Sequence, residues 1–278
     1  MKPPSVAITG IGVVSPYGVG RERFWQHVRN GCSATRTITD FDGSLYGCTV
    51  AAPVPLVSMD DALAVLTVDA RVPGTRAERN GRPDPRRYSR ASLIGVIAAT
   101  EAWADAGLRA GEPDAGVIVG SGAGGIDVAE RQYYEFFTDG WKRVTPYAIP
   151  VSIVGMLSSE ISIALELHGM SHVLSTGCTS STDAISYAAA VIRSGEAEVI
   201  LSGGADACVT PGMMFGFAKM RAVSTRYNDM PAAASRRSAA ASAPRVGARA
   251  SRSAPRSTAS ACMRRRAAGP MIATGSPA

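Results

Sequence analysis

The sequence predicts an α/β fold with a mostly parallel sheet that helices cover on both faces. Short apolar runs alternate with segments whose apolar residues recur at helical spacing, and glycine-rich turns follow several of the apolar runs. Strands buried on both faces have such continuous apolar sequences, and their alternation with helices is typical of parallel sheets. With 278 residues, 46% of them hydrophobic, the chain is long enough for one large domain or two small ones.

Four apolar runs are predicted strands. The first is a short strand that precedes a glycine-rich turn in "SVAITGIGVVSPYG", and the others are "DAGVIVG", "SHVLSTG" and "AEVILSGGAD". Five segments are predicted helices: "RERFWQHVRNG", "YSRASLIGVIAATEAWADAG", "IDVAERQYYEFF", "SIVGMLSSEISIALEL" and "TSSTDAISYAAAVIRSG". Residues 51–87 contain five prolines and predict an irregular loop with one helical piece around "DDALAVL".

The composition changes at about residue 235, which divides the chain into a body, 1–234, and a tail, 235–278. The tail contains nine arginines and no Asp, Glu or Lys, so the body has 20 basic and 23 acidic groups and a net charge of −3. The tail is rich in Ala, Arg and Ser and lacks aromatic residues, which predicts a disordered segment. Because it also lacks the interleaved aromatics and lysines of nucleic-acid arms, no nucleic-acid partner is predicted.

The remaining composition predicts a cytoplasmic protein without metal or nucleotide cofactor. The N-terminus has no signal-peptide pattern, and no apolar run approaches the roughly 20 residues of a membrane span. The five cysteines and three histidines have neither disulfide-framework nor metal-ligand spacing. The glycines of "GIGVVSPYG" do not match a dinucleotide-binding loop.

Cys178, in "HVLSTGCTSSTDAISYAAAVIRSG", lies where a predicted strand ends and a predicted helix begins. The first N–H groups of such a helix favour a thiolate and can hold an oxyanion. This strand–elbow–helix arrangement is a recurrent way to expose a nucleophile. From spacing alone a buried structural cysteine is the preferred interpretation, because cysteine is among the most buried residue types.

The segment "STGCTSS", followed by "DAISYAAAVIRSGEAEVILSGGAD", resembles the active-site segment of the β-ketoacyl-acyl carrier protein synthases. "VAITGIGVVSPYG", "GSGAGG" and "FAKMRAVSTRYNDMPAAASR" resemble three further segments of that family in the same order. The resemblance covers residues 4 to about 236 and is closest to actinobacterial polyketide-type ketosynthases. It implies the thiolase-like fold, layered α-β-α-β-α in two similar halves, of which this chain would supply the N-terminal half.

The resemblance also implies the chemistry. Cys178 would be the catalytic nucleophile, which accepts an acyl chain from carrier-protein phosphopantetheine before a malonyl-carrier protein decarboxylates and attacks the thioester. Ala123 would lie at a gate of the acyl pocket, Ala148 near the pocket end, and Phe217 at the pocket wall. The two alanines predict room for medium or long chains. The implied partners are acyl carrier protein and a second subunit, either an identical chain or a chain-length factor, paired through "SHVLSTG".

The base for Cys178 is not found in this chain. The family has two histidines, a lysine and a second oxyanion donor in its C-terminal half, whereas His27, His168 and His172 lack the family's context and are expected at structural or surface positions. Where the family continues "SRPFD…RDGFVLGEGA", this chain reads "SRRSAAASAPRVGARAS", which is what a GC-rich gene read out of frame would encode. Three hypotheses therefore stay open: a ketosynthase by descent, a non-catalytic chain-length partner, and a truncated, inactive product of a frame-shifted gene.

Overall fold

The computed structural model describes residues 5–55, 88–112, 114–234 and 258–265. The strands are β1 Val6–Ser15, β2 Gly18–Val19, β3 Arg36–Thr37, β4 Val50–Ala51, β5 Gly116–Gly120, β6 Ser171–Leu174, β7 Val199–Gly204 and β8 Thr258–Arg265. The α-helices are α1 Arg21–Arg29, α2 Arg90–Asp105, α3 Ile126–Asp139, α4 Ala148–Ser152, α5 Met156–Leu165, α6 Ser180–Ser194 and α7 Pro211–Lys219. Short 3-10 helices cover Ser44–Tyr46, Trp141–Arg143 and Gly177–Thr179.

A six-stranded sheet in the order β2-β1-β8-β7-β5-β6 forms the centre of the described chain. β5 pairs in parallel with β6 on one side and with β7 on the other, while β8 is antiparallel to both β7 and β1. β3 and β4 form a separate two-stranded sheet. The predicted α/β class is confirmed, but the described sheet is mixed and not mostly parallel, because β8 and the short β2 pair antiparallel with their neighbours.

Helices pack on both faces of this sheet, as its apolar strands predict. Val117 and Val119 of β5 belong to the buried cluster that includes α2 and α5, whereas Ile118 between them belongs to the cluster that includes α6. Successive side chains of a strand point to opposite faces, so β5 contributes to both layers. None of the described helices has the length and apolar character needed to cross a membrane.

β1 is longer than the sequence predicts. The expected glycine-rich turn after a short strand is wrong, because Gly10 and Gly12 lie inside a ten-residue strand with α2 packed directly on them. A Cβ atom at Gly10 would lie 2.1 Å from the Ala102 carbonyl oxygen, and one at Gly12 would lie 2.0 Å from that of Ala98. Glycine in a strand often marks such a close backbone approach.

The expectation of a wholly disordered tail is also wrong, because Thr258–Arg265 forms β8 in the middle of the sheet. β8 pairs along its length with β1 and with β7, so its backbone groups bond to neighbours on both sides. Cys262 and Met263 are buried on it, at 0% and 3% exposure. The composition of the whole tail does not reveal this short segment. Its position in the sheet depends on backbone pairing more than on composition. Of the predicted loop over 51–87, residues 51–55 are described and β4 ends at Ala51, while residues 56–87 and the other tail residues lie outside the described residues.

Two carboxylates of α2 cover the edge of β1 that faces away from β8. Glu101 accepts hydrogen bonds from the backbone N–H of Val13 at 2.8 Å and of Arg21 at 2.7 Å. Asp105 accepts from the N–H of Ile11 at 3.0 Å and pairs with the Arg21 guanidinium. Unpaired strand edges are sites of unwanted association, and these carboxylates satisfy the edge instead.

The position of β8 predicts that the Cys262 thiol is protected from reagents in the folded protein. Its burial raises the pKa of Cys262, which lowers its thiolate fraction further. In native protein a maleimide should label exposed Cys32 at once and Cys262 only after addition of denaturant. Mass-spectrometric mapping over time would test this, and native labelling of both at one rate would contradict the tail strand.

Glu101 predicts a pH dependence of stability. Burial raises the pKa of this carboxyl above its usual 4.5, against the lowering effect of the two N–H groups. A carboxyl with a raised folded-state pKa contributes stability below its unfolded pKa and loses that contribution as pH rises through the folded pKa. The free energy of unfolding, measured by urea titration, should therefore be higher for the wild type than for Glu101→Gln at about pH 4, and this advantage should shrink towards neutrality. A constant or growing advantage would contradict the prediction.

Candidate active site

Cys178 lies in an exposed elbow between a strand and a helix, as predicted. β6 ends at Leu174, the 3-10 turn Gly177–Thr179 follows, and α6 begins at Ser180. Gly177 has a φ of 67°, in the left-handed region that favours glycine, and the next residue is Cys178. The elbow therefore places an exposed thiol just before the N-terminus of a 15-residue helix.

Hydrogen bonds from the first turn of α6 hold this elbow. The Ser180 hydroxyl donates to the Gly177 carbonyl at 2.7 Å and accepts from the Thr176 N–H at 3.0 Å. The Thr179 hydroxyl donates to Asp183 at 3.0 Å, and the Thr176 hydroxyl donates to the same carboxylate. Thr179, the residue before α6, makes no side-chain cap hydrogen bond, and its hydroxyl bonds to Asp183 instead.

The glycine-rich turn Ser121–Gly125 lies directly against the elbow. A Cβ atom at Gly120, the last residue of β5, would lie 2.2 Å from the backbone carbonyl carbon of Ser180. One at Gly122 would lie 3.3 Å from the Gly177 carbonyl oxygen. The structure thus brings the turn that contains half-buried Ala123 next to the elbow that contains Cys178.

Ala148 is the first residue of α4, which packs against the same glycine turn. A Cβ atom at Gly125 would lie 2.1 Å from the Val151 carbonyl oxygen, and the Gly125 N–H donates to the Ser152 carbonyl at 3.3 Å. The start of α4 is tied to α3, because the Thr145 N–H donates to Gln132 at 2.7 Å. This places Ala148 on an element that borders the turn of Ala123.

Phe217 is a half-buried residue of α7, and α3 positions that helix as well. Glu130 of α3 accepts hydrogen bonds from the Thr210 hydroxyl at 2.7 Å, from the Gly212 N–H at 3.0 Å and from the Met213 N–H at 3.2 Å. These contacts fix the N-terminus of α7. Sequence reasoning did not single out Glu130, because nothing local to α3 indicates a partner so distant along the chain.

The three histidines lie on or near the surface of the described chain. The His27 ring stacks on Tyr17 with centroids 4.6 Å apart, and the His172 ring on β6 is parallel to that of Tyr187 at 6.2 Å. His168 is exposed in the loop before β6. Within the described residues, no group of three or more His, Cys, Asp and Glu side chains is placed to hold a metal ion.

Comparison with known proteins gives the family. Residues 4–246 match the family described as "Beta-ketoacyl synthase, N-terminal domain". The chain is 34% identical over 239 residues to a 3-oxoacyl-[acyl-carrier-protein] synthase 2 of Coxiella burnetii, covering 85% of this chain and 53% of that protein. It is also 34% identical to an oxytetracycline polyketide β-ketoacyl synthase 1 of Streptomyces rimosus, covering 83% and 52%.

A solved structure of the ishigamide ketosynthase/chain length factor superposes with a TM-score of 0.67 at 27% identity, covering 79% of this chain and 51% of that one. The chain therefore belongs to the β-ketoacyl synthase family and has its thiolase-like fold. It spans about half the length of the curated relatives that it matches. The matched range extends past residue 234 into the segment that composition assigns to the tail.

The elbow predicts that Cys178 is the most readily alkylated cysteine of the folded chain. Cys48 and Cys262 are buried and Cys208 is half-buried, so exposed Cys32 is the main competitor. A helix N-terminus favours negative charge on an adjacent group, so Cys178 should react faster than Cys32. Mapping after a limiting dose of iodoacetamide would test this, and preferential labelling of Cys32 would argue against an activated elbow.

Proposed function

We propose that this chain is the nucleophile-bearing part of a 3-oxoacyl-[acyl-carrier-protein] synthase, an acyltransferase of fatty-acid or polyketide synthesis. The observation that carries the proposal is the exposed Cys178, which lies in the elbow before α6 with the glycine turn Ser121–Gly125 packed against it. The relatives, which are 3-oxoacyl-[acyl-carrier-protein] and polyketide β-ketoacyl synthases, and the ketosynthase structure support the same reaction class. The substrates would be acyl groups on the phosphopantetheine of an acyl carrier protein, with no further cofactor.

The first step is acyl transfer to Cys178. The Cys178 sulfur attacks the carbonyl of the carrier-protein thioester, the new carbon–sulfur bond forms, and the bond to the pantetheine sulfur breaks. The proton of the Cys178 thiol ends on the released pantetheine thiol, so the transfer is balanced without an oxidant or reductant. The backbone N–H of Cys178 would supply one donor to the oxyanion, and the covalent intermediate divides the condensation into two easier steps.

The second step is the decarboxylation of a malonyl-carrier protein and the attack of its carbanion on the Cys178 thioester. Negative charge then develops on the malonyl thioester carbonyl, and loss of one oxyanion donor alone typically costs about 10²–10³ in rate. The matched segment covers about half of each of these relatives, and the three histidines of this chain lie on α1, in the loop before β6 and on β6. We propose that condensation needs groups from the second half.

The proposed assembly is a dimer formed through β6, either of two identical chains or with a chain-length factor. β6 is the edge strand of the sheet, and exposed Tyr187 stands beside its His172. Edge strands pair readily with a strand of another chain. This arrangement would place the elbow of Cys178 close to the subunit boundary.

The proposal predicts that the purified 278-residue chain loads an acyl group but does not condense it. Incubation with octanoyl-carrier protein should give a thioester on Cys178 that Cys178→Ala abolishes, with Cys32→Ala as the matched control. Carbon dioxide release from malonyl-carrier protein should stay at background, while a full-length relative releases it. Absence of loading on folded protein would favour a non-catalytic partner subunit. Release at the relative's rate would show that this chain already holds the groups assigned to the second half.

A further inference from the structure

We propose that Asp206 is a positioning residue that fixes the gate of the acyl channel beside Cys178. This inference rests on the proposed acyl transfer, because the gate matters only if Cys178 accepts acyl chains. Asp206 follows β7 and lies 28 residues after Cys178 in the sequence. It does not act on the sulfur but on the glycine turn Ser121–Gly125.

The Asp206 carboxylate gathers the donors of that turn. Its Oδ1 atom accepts from the Ser121 hydroxyl, from the Gly122 N–H and from the Ala123 N–H, each at 3.0 Å. Its Oδ2 atom is 3.2 Å from the same Gly122 nitrogen. Hydrogen bonds to an ionised acceptor are roughly twice as strong as neutral ones, so this carboxylate is the main anchor of the turn.

Ser121 extends the anchor to the far end of the turn. Its hydroxyl donates to Asp206 and accepts from the Gly124 N–H at 2.9 Å, and its backbone N–H donates to the Leu174 carbonyl at 3.1 Å. Ser121 is fully buried, at 0% exposure. One carboxylate therefore holds residues 121–124 directly or through a single hydroxyl.

Backbone atoms on two sides of the turn Ser121–Gly125 lie close to it, so the turn can move only if these contacts are lost. Gly122 faces the Gly177 carbonyl, and a Cβ atom at Gly124 would lie 2.8 Å from the Val154 Cα atom. The sheet fixes the other end of the anchor, because the Ala205 N–H donates to the Gly120 carbonyl at 3.1 Å. The carboxylate thus couples the end of β7 to the position of Ala123, whose own N–H is one of its donors.

Loss of Asp206 releases these donors at once and frees the turn beside the elbow. A small reagent that reaches the exposed sulfur needs no channel, so its rate should be unchanged. With Ala123 as the gate that the family resemblance implies, a long acyl chain passes this turn, so its transfer should fall. Selective loss of long-chain transfer is a result that a general loss of stability would not give, and it marks Asp206 as a residue that sets specificity.

The experiment compares the full chain with Asp206→Ala, Asp206→Asn and Ser121→Ala. For each we would measure the modification of Cys178 by iodoacetamide, by acetyl-pantetheine and by octanoyl-pantetheine. Asp206→Ala should lower the octanoyl-to-acetyl rate ratio about tenfold, since a lost hydrogen bond to a charged group is worth about 1.5–3 kcal/mol, and should leave the iodoacetamide rate within about twofold. Asp206→Asn should lower the ratio less than Asp206→Ala does, because its carbonyl oxygen can still accept the three bonds made by Oδ1 but without the added strength of the charge.

Glu101→Ala is the matched control, because Glu101 also accepts two backbone N–H bonds but lies on α2 beside β1. It should leave the octanoyl-to-acetyl ratio unchanged, and protection of Cys262 from maleimide reports folding in every variant. An unchanged ratio in folded Asp206→Ala, or in folded Ser121→Ala if the first variant unfolds, would overturn the inference. A larger loss in Asp206→Asn than in Asp206→Ala would also overturn it, because the amide keeps an oxygen that can accept the three bonds made by Oδ1. Failure of the wild type to accept either thioester would instead contradict the proposed function.

Discussion

The site depends on a contact between backbones. At Gly120 the end of β5 lies so close to the first turn of α6 that a single Cβ atom would overlap Ser180, and at Gly204 the end of β7 does the same with Ser181. Interiors are close-packed, so an added methyl group here would have to push the helix away from the sheet. The N-terminus of α6 is held at the carboxyl ends of two parallel strands because those strands end in glycine.

That contact explains why so few side chains are needed to shape the elbow. With α6 held against the strands, Gly177 supplies the left-handed turn, and Ser180 and Asp183 tie the turn to the helix. The surrounding elements are then fixed by carboxylate and amide groups that bond to backbone N–H groups, as Asp206 does for the glycine turn and Gln132 for the start of α4. Rigid support of this kind keeps a reactive group in place while the group itself stays exposed.

The sequence predicted the features that depend on local pattern. The α/β class, the strand before Cys178 and the helix after it follow from apolar spacing and glycine turns within a few residues of each element. The long β1 and the roles of Asp206 and Glu130 could not be found in this way. Gly10 and Gly12 have the pattern of a turn until α2 is packed on them, and the partners of both carboxylates are about 80 residues away in the chain.

β8, near the C-terminal end of the chain, is a further element that local sequence pattern does not reveal. Its segment "TASACMRR" has no strand pattern, yet β1 and β7 each leave an edge that an antiparallel strand between them completes. Successive side chains of β8 reach opposite layers, because Cys262 packs with the α2 layer and Met263 with the α6 layer. Arg264 lies 3.5 Å from Glu112. β7 therefore has β8 on one side and β5 on the other, and the glycine at its end supports the elbow. The geometry around Cys178 thus depends on a strand that follows it by some 80 residues, so the elbow, though local in sequence, is supported by the whole sheet.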